Sequence, residues 1–287
     1  MLIVDSQVHI WIPSTPQRPW LPASPEIPAP HRPEPFTREH LLREMDGAGV
    51  NRALLVTPLW EGVRNDYVLE SAQAHPDRLG VIGRLDHLQP EWRARVPNWL
   101  NERGMLGLRM LFRPTQVSML EDGSADWVWA AAEKAAIPTM VFLPQAAMPL
   151  IDRVAERHPG LKLVIDHLGL TTGKDAEAFR DLDRVLALAR RPNVAVKVSC
   201  LPHFTADAYP FRALHPYLRR VYDAFGAERM FWGTDLSRSP YSYKQNITMF
   251  TEEIPWLSAE DKNSIIDRKS TRLNSSHSQQ SRMPSSA

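Results

Sequence analysis

Three residues in the opening stretch "VDSQVHIW", Asp5, Gln7 and His9, stand two apart and pose a chemical question. On a strand, alternate side chains share a face, so all three point one way. Two histidines at the Gln7/His9 spacing would clip a hydrolytic metal ion, but a glutamine holds one of the places. Further on, "IDHLG" presents His167, "VAVKVSC" puts Lys197 and Ser199 on one face, and "WGTD" presents Asp235. "GLRM" carries Arg109, and Arg84 closes another apolar run. This set suits carbonyl hydrolysis. It offers Asp235 as a general base for water, His9, His167 and Lys197 to stabilise an oxyanion, and Arg84 and Arg109 to clamp a carboxylate.

Each of these groups sits within or just after a short apolar run. Such runs cover 2–5, 53–57, 79–84, 106–111, 139–143, 162–166, 194–199 and 230–234. Continuous apolar character marks parallel strands covered on both faces. Amphipathic helical stripes lie between them, for example Leu150, Ile151, Val154 and Ala155, then Phe211, Leu214, Leu218, Val221 and Phe225. Thr37 caps a helix running to Gly47. Eight strands alternating with helices in about 235 residues predict a single α/β (β/α)8 TIM barrel, with a doubly wound open sheet as the alternative. No Gly-rich phosphate loop follows any strand. Nine of the 25 prolines lie between Trp11 and Phe36, which predicts a long, stiff Pro-rich β1–α1 loop over the barrel mouth, with Trp20 roofing the pocket.

The chain has 287 residues, 43% apolar and 23% charged, enough for one large core. From Asp267 the composition turns to Ser and Arg. Back-translation of 267–287 yields strings resembling a short-read sequencing adapter, so this stretch is expected to be a non-native disordered tail. The domain is then 1–266, with the last helix truncated near Ile266 and its inner face partly uncovered. The tail carries four cations against Asp267, so the overall +1 leaves 1–266 at −2. Cys200 is the only cysteine, which excludes an internal disulfide and fits a cytoplasmic setting. With no histidine beside it in sequence, it reads as inert. There is no basic stripe for nucleic acid, no spanning apolar run for a membrane and no signal peptide. A small-molecule substrate is the expected partner, and homo-oligomerisation stays open.

The combination of D-x-[H/Q]-x-H-x-W, DHLG, K-x-S and WG-[ST]-D, in this order from residue 2 to about 266, resembles the amidohydrolase-related (amidohydrolase 2) family, lactonase-like branch. That family includes sugar lactonases, a pyrone-dicarboxylate lactonase and metal-dependent decarboxylases. The resemblance implies that His9, His167 and Asp235 match family positions. Gln7 departs from the first histidine, Arg109 stands where binuclear members carry a lysine or glutamate, and the fifth-strand histidine is absent. It implies a lactone or ester hydrolase acting on a small carboxylate, or alternatively a decarboxylase of an aromatic or unsaturated carboxylate. Because Arg84, Arg109 and Lys197 approach the same mouth, no cofactor is expected to bind tightly. The alternative is one divalent metal, Zn or Mn, on His9, His167 and Asp235. Gln7 is then expected to orient substrate or water.

Overall fold

The computed structural model describes residues 1–268. Its strands are β1 (Val4–Val8), β2 (Arg52–Val56), β3 (Leu79–Arg84), β4 (Met105–Leu111), β5 (Thr139–Phe142), β6 (Leu163–Ile165), β7 (Val194–Ser199) and β8 (Met230–Gly233). They form one parallel sheet in the order β1 to β8. Among the described residues the α-helices are α1 (Arg38–Ala48), α2 (Asp66–Ala74), α3 (Trp92–Arg95), α4 (Asp126–Lys134), α5 (Met148–Arg157), α6 (Asp175–Ala178), α7 (Leu182–Leu186), α8 (His215–Phe225), α9 (Tyr243–Thr251) and α10 (Ala259–Asn263). The expected (β/α)8 barrel is therefore the fold.

Period-two alternation organises the barrel. Leu54, Met140, Val164 and Phe231 form a small apolar cluster separate from the main core between strands and helices. Two residues beyond Val164 and Ala195 stand the buried Asp166 and Lys197. A polar layer thus lies above an apolar floor, towards the strands' C-terminal ends.

The first strand differs most from expectation. It covers Val4–Val8 rather than 2–5, and Asp5, Ser6 and Gln7 are all buried. A search for apolar runs ends at Asp5, because these polar residues gain their partners only from other strands. Asp5 is the clearest case. Its Oδ1 accepts from the backbone N–H groups of Gln7 (3.0 Å) and Thr234 (2.9 Å). Its Oδ2 accepts from the hydroxyls of Thr234 (2.5 Å) and Tyr243 (2.8 Å). Asp235 N–H donates to Gln7 O (2.9 Å). These bonds join β8 to β1 and close the barrel. Close backbone approach at this seam requires Gly233, where a Cβ would lie 2.7 Å from Ser6 Oγ and 3.1 Å from Asp5 Oδ1.

The expected uncovered face after β8 is filled. Helix α9 follows β8 and buries Tyr243, Ile247 and Phe250, while Ile265 and Ile266 are buried in a wide helical turn over Ser264–Arg268. Of the expected tail, 269–287 lies outside the described residues. Among the described residues, no helix is long and apolar enough to cross a membrane.

The Pro-rich connection between β1 and α1 lies over the mouth, pinned on three sides. Leu21 N–H donates to Trp60 O (2.7 Å), and Arg18 pairs with Glu61 (2.7 Å). Thr115 Oγ1 donates to Glu26 (3.0 Å), and Arg32 donates to the Leu236 and Ser237 carbonyls (both 3.1 Å). Trp20 does not roof the pocket. Its indole N–H donates back to Ile12 O (3.1 Å), and Leu21, Glu26 and Ile27 face the cavity instead.

Candidate active site

The ends of β1, β6, β7 and β8 converge. Asp235 Oδ1 lies 3.5 Å from His9 Nε2, and Asp235 Oδ2 lies 4.0 Å from His167 Nε2. Asp235 is 2% exposed, yet its Oδ1 has no hydrogen-bond partner. Three of these strand ends are followed by non-glycine residues in the left-handed region: His167 (φ 53°), Cys200 (φ 61°) and Asp235 (φ 52°). Each costs of order 1–3 kcal/mol, and such strain persists where the surrounding structure enforces it.

The histidine tautomer at β1 follows from its partner. His9 Nδ1 lies 2.7 Å from Val56 O, and a carbonyl can only accept, so Nδ1 carries the proton. In the neutral ring Nε2 is then a bare acceptor facing Asp235. Burial lowers the His9 pKa to about 3, with nearby Arg109 acting the same way and Asp235 opposing, so the ring is neutral. Burial likewise lowers His167 to about 4. Its Nδ1 shares a hydrogen bond with Ser199 Oγ (2.8 Å). If Ser199 accepts, His167 Nε2 is bare as well. Burial alone would raise the Asp235 carboxyl, but the facing imidazoles of His9 and His167, then His31 and Arg238, hold it below the usual carboxylate range.

Beneath this acceptor set lies a buried ionic triad. Arg109 Nε donates to Asp166 Oδ2 (2.7 Å), and Lys197 Nζ stands 3.0 Å from Asp166 Oδ1. Lys197 also donates to Gln7 Oε1 (2.8 Å), which turns the Gln7 amide N–H towards His9 Nε2 (3.4 Å). Gln7 and Lys197 are both fully buried, so they meet each other and their neighbours rather than open space. Burial lowers the Lys197 pKa, with Asp166 opposing. Asp166 is pushed up by burial, and Lys197 and Arg109 bring it below the ordinary range.

Arg84 is held by two backbone carbonyls, Pro58 O (3.3 Å) and Gly62 O (2.6 Å), and burial lowers its pKa to about 9. Together with Arg109 it edges a cavity of about 530 Å³, also lined by Leu21, Ile27, Asp86 and Met110, on the β2–β4 side of the mouth. Arg109 therefore belongs both to the ionic triad and to the cavity wall. Seven predicted positions fall into one region: Gln7, His9, His167, Lys197 and Asp235 around the axis, with Arg84 and Arg109 towards the cavity.

Sequence reasoning assigned no role to four residues. Asp166 precedes His167 in the quoted motif, but only the fold shows that it pairs with two cations. Asp5 is the seam described above. His31 lies in the Pro-rich connection with no motif to mark it, yet its ring lies 5.6 Å from His9 and 4.9 Å from Trp60, and Nδ1 shares a hydrogen bond with Ser237 (3.0 Å). Cys200 has no histidine beside it in sequence, but it has one in space. Its sulfur, a His167 ring nitrogen and an Asp235 oxygen all lie within 4.8 Å of one another. Burial, then Asp235, pushes the thiol well above its usual pKa, so it is no nucleophile at neutral pH.

The expectation that cations exclude a metal does not hold in this geometry. Arg109 and Lys197 are both paired with Asp166, while an Asp235 oxygen, a His167 ring nitrogen and the Cys200 sulfur lie within 4.8 Å of one another. That donor chemistry fits a divalent ion.

Known proteins point the same way on family and fold. The chain is 26% identical over 244 residues to an L-fucono-1,5-lactonase of Burkholderia ambifaria, covering 81% of this chain and 79% of that one. Its fold is similar to a crystal structure described as a probable 2-pyrone-4,6-dicarboxylic acid hydrolase from Acinetobacter baumannii with citric acid bound. The TM-score is 0.77 at 18% identity, over 95% of this chain and 99% of that one. It is equally similar to a zinc-bound amidohydrolase from Burkholderia multivorans, with TM-score 0.77 at 20% identity, over 96% and 99% of the two chains. The amidohydrolase family itself matches residues 4–266, the whole barrel with every strand that carries the site. The chain belongs to the amidohydrolase family of enzymes.

Proposed function

We propose that this enzyme opens a lactone, or a related ester, of a small carboxylate-bearing substrate. The observation that carries the reading is the buried Asp235 carboxylate. Its unpartnered Oδ1 faces the bare Nε2 of His9 (3.5 Å), beside a cavity edged by Arg84 and Arg109. A lactonase among the relatives, and a fold neighbour whose name denotes a pyrone-dicarboxylate hydrolase, support the same reaction class.

In this mechanism a water sits beside Asp235 Oδ1 and His9 Nε2, donating to the carboxylate and sharing the single Nε2 lone pair with the Gln7 amide N–H (3.4 Å). Asp235 takes one proton as the water oxygen bonds to the lactone carbonyl carbon. Collapse of the tetrahedral intermediate breaks the ring C–O bond, and Asp235 returns the proton to the leaving oxygen. The His9 N–H is committed to Val56 O, so His9 holds water rather than an oxyanion. Lys197 and Gln7 act from below, holding the Asp166 and His9 side chains in place. The triad of Arg109, Lys197 and Asp166 keeps one excess positive charge. Arg109 brings that charge to the cavity wall, where a substrate carboxylate is drawn and oriented.

A divalent cation would be held by His167 and Asp235, with His9 beside the same carboxylate. When bound, it supplies a Lewis acid that polarises the lactone carbonyl.

The test is a panel of sugar and unsaturated lactones and aryl carboxylates, with and without chelator, on the parent and Asp235→Asn. Ring opening by the parent, with loss of about 10²-fold or more in the variant, is expected. Carbon dioxide release from an aryl carboxylate without ring opening would move the assignment to a decarboxylase. Full activity in Asp235→Asn would remove this residue as the base.

A further inference from the structure

The proposed reaction uses His9, His167 and Asp235 but gives no part to Cys200, although that residue stands among them. We propose that Cys200 is a thiolate ligand which, together with His167 and Asp235, makes this barrel a binder of thiophilic divalent ions of the zinc class rather than magnesium or manganese. The inference deepens the reading above by specifying the cation class, and it rests on that reading only for the site's purpose.

Three observations converge. The first is proximity: one donor atom from each of the three residues lies within 4.8 Å of the others, and all three residues are buried. The second is an unmet need. Asp235 Oδ1 has no partner although the residue is 2% exposed, and leaving a buried acceptor unpaired costs about 1–3 kcal/mol. The third is charge. A thiolate and a carboxylate together neutralise a dication, and the imidazole adds no charge. A neutral assembly suits a pocket whose next layer already holds one excess positive charge in Arg109, Lys197 and Asp166.

A packing role explains Cys200 less well. The residue occupies the left-handed region at φ 61°, where Asn and Gly are the usual occupants, and its sulfur lies beside a carboxylate rather than only apolar groups. As a thiol it is a weak donor to Asp235. As a ligand it loses its proton to solvent when the cation binds, so one proton is released for the thiol of each ion taken up. Sulfur is a soft donor, which selects zinc, cobalt(II) or cadmium over the oxygen-preferring ions.

The experiment uses the whole protein, stripped with chelator and reloaded with cobalt(II). Cys200 is the only cysteine, so any sulfur-to-cobalt charge-transfer band in the near ultraviolet reports this residue alone. The expected result is one cobalt per chain with that band, and loss of the band in Cys200→Ser while visible d–d bands from bound cobalt persist. X-ray absorption on the zinc-loaded parent requires no variant and is expected to show one sulfur at about 2.3 Å from the metal. A sulfur-free zinc shell, no stoichiometric metal, or an unchanged band in Cys200→Ser would overturn the proposal. Neither readout depends on turnover. A sulfur ligand with no lactone opened would therefore refute the proposed reaction and leave the metal assignment standing, and the converse result would do the reverse.

Discussion

Replacing Asp166 with Asn tests whether the buried triad holds the site together. Asp166 and Lys197 are both fully buried, and Arg109 is 5% exposed, so the change leaves two cations in the barrel with no counter-charge. Lysine has an escape by giving up its proton. That costs about 1.4 kcal/mol for each of the roughly 3.4 pH units between its free pKa and neutrality, or about 4.6 kcal/mol. Removing one partner of a buried pair costs about 3–5 kcal/mol by measurement, which agrees. For a chain of this size that is a fall in Tm of roughly 6–20 °C. Because the cost comes from deprotonating Lys197 in the fold, it shrinks as pH rises from 7 to 9, by about 1.4 kcal/mol per unit.

The same reasoning fixes a sign. Lys197→Met alone removes one cation and leaves Arg109 paired with Asp166, at the cost of Gln7's partner, so it is milder than Asp166→Asn. Added to Asp166→Asn, it removes one of the two unpaired charges and recovers stability. Urea unfolding of the four proteins at pH 7 and pH 9 reads both effects. A loss below about 1 kcal/mol in Asp166→Asn, or a double variant less stable than that single, would show that water reaches the triad and the ion-pair argument fails.

Two other perturbations address the seam and the imidazoles. Gly233→Ala sets a methyl group 2.7 Å from Ser6 Oγ and 3.1 Å from Gln7 N, so a cost of about 1–3 kcal/mol is expected in thermal unfolding, with reduced turnover because the displaced strand carries Asp235. Unchanged stability and activity would mean that β1 and β8 yield freely. In chelator-treated protein, stability falls as pH drops below 6.5. The unfolded chain binds protons at His9 and His167, while the folded rings stay neutral down to about 3 and 4. Asp5 opposes this, because its folded pKa is raised to about 6 by burial. Its contribution is fully present below the usual carboxylate range and is lost as pH rises through 6. These two rings against one carboxyl set a slope of about 1.4 kcal/mol per pH unit between 4 and 6, and half-buried His203, lowered to about 4 by burial and by Arg238 and Lys174, steepens it. Equal urea midpoints at pH 5 and pH 7 would refute it.

The barrel was legible because its signal is local and repeated. Apolar runs such as 79–84 and 194–199 must be covered on both faces, and amphipathic stripes such as that of α5 supply the cover. The convergence of polar groups at the mouth was legible for a related reason. In a barrel, a polar residue at the end of an apolar strand has no place to go but the mouth, which singled out His9, His167 and Asp235. What sequence could not supply was pairing across strands. Lys197 alone looks like a substrate cation; only the register that sets β6 beside β7 reveals Asp166 as its counter-ion. The first strand was misread at its polar end because Asp5 is satisfied by Thr234 and Tyr243, more than 200 residues away.

The metal question turned on the same kind of blindness. Counting charges along the chain puts Arg84, Arg109 and Lys197 at the mouth and argues against a dication. Distance weakens that argument, since Asp166 lies 3.0 Å or less from both Arg109 and Lys197 and cancels one of their two charges for anything beyond the triad. What then faces the axis is an ionised carboxylate with one idle oxygen and two neutral imidazoles. Cys200 joins them through a backbone conformation that sequence patterns do not report. Charge near a site therefore decides little until each group's partner is known, and here the partners leave an acceptor-rich pocket above a shielded cationic layer. The two layers suit opposite ends of one substrate. In the proposed reaction the carbonyl to be attacked would lie over Asp235, with the carboxylate reaching sideways to the cavity wall at Arg109.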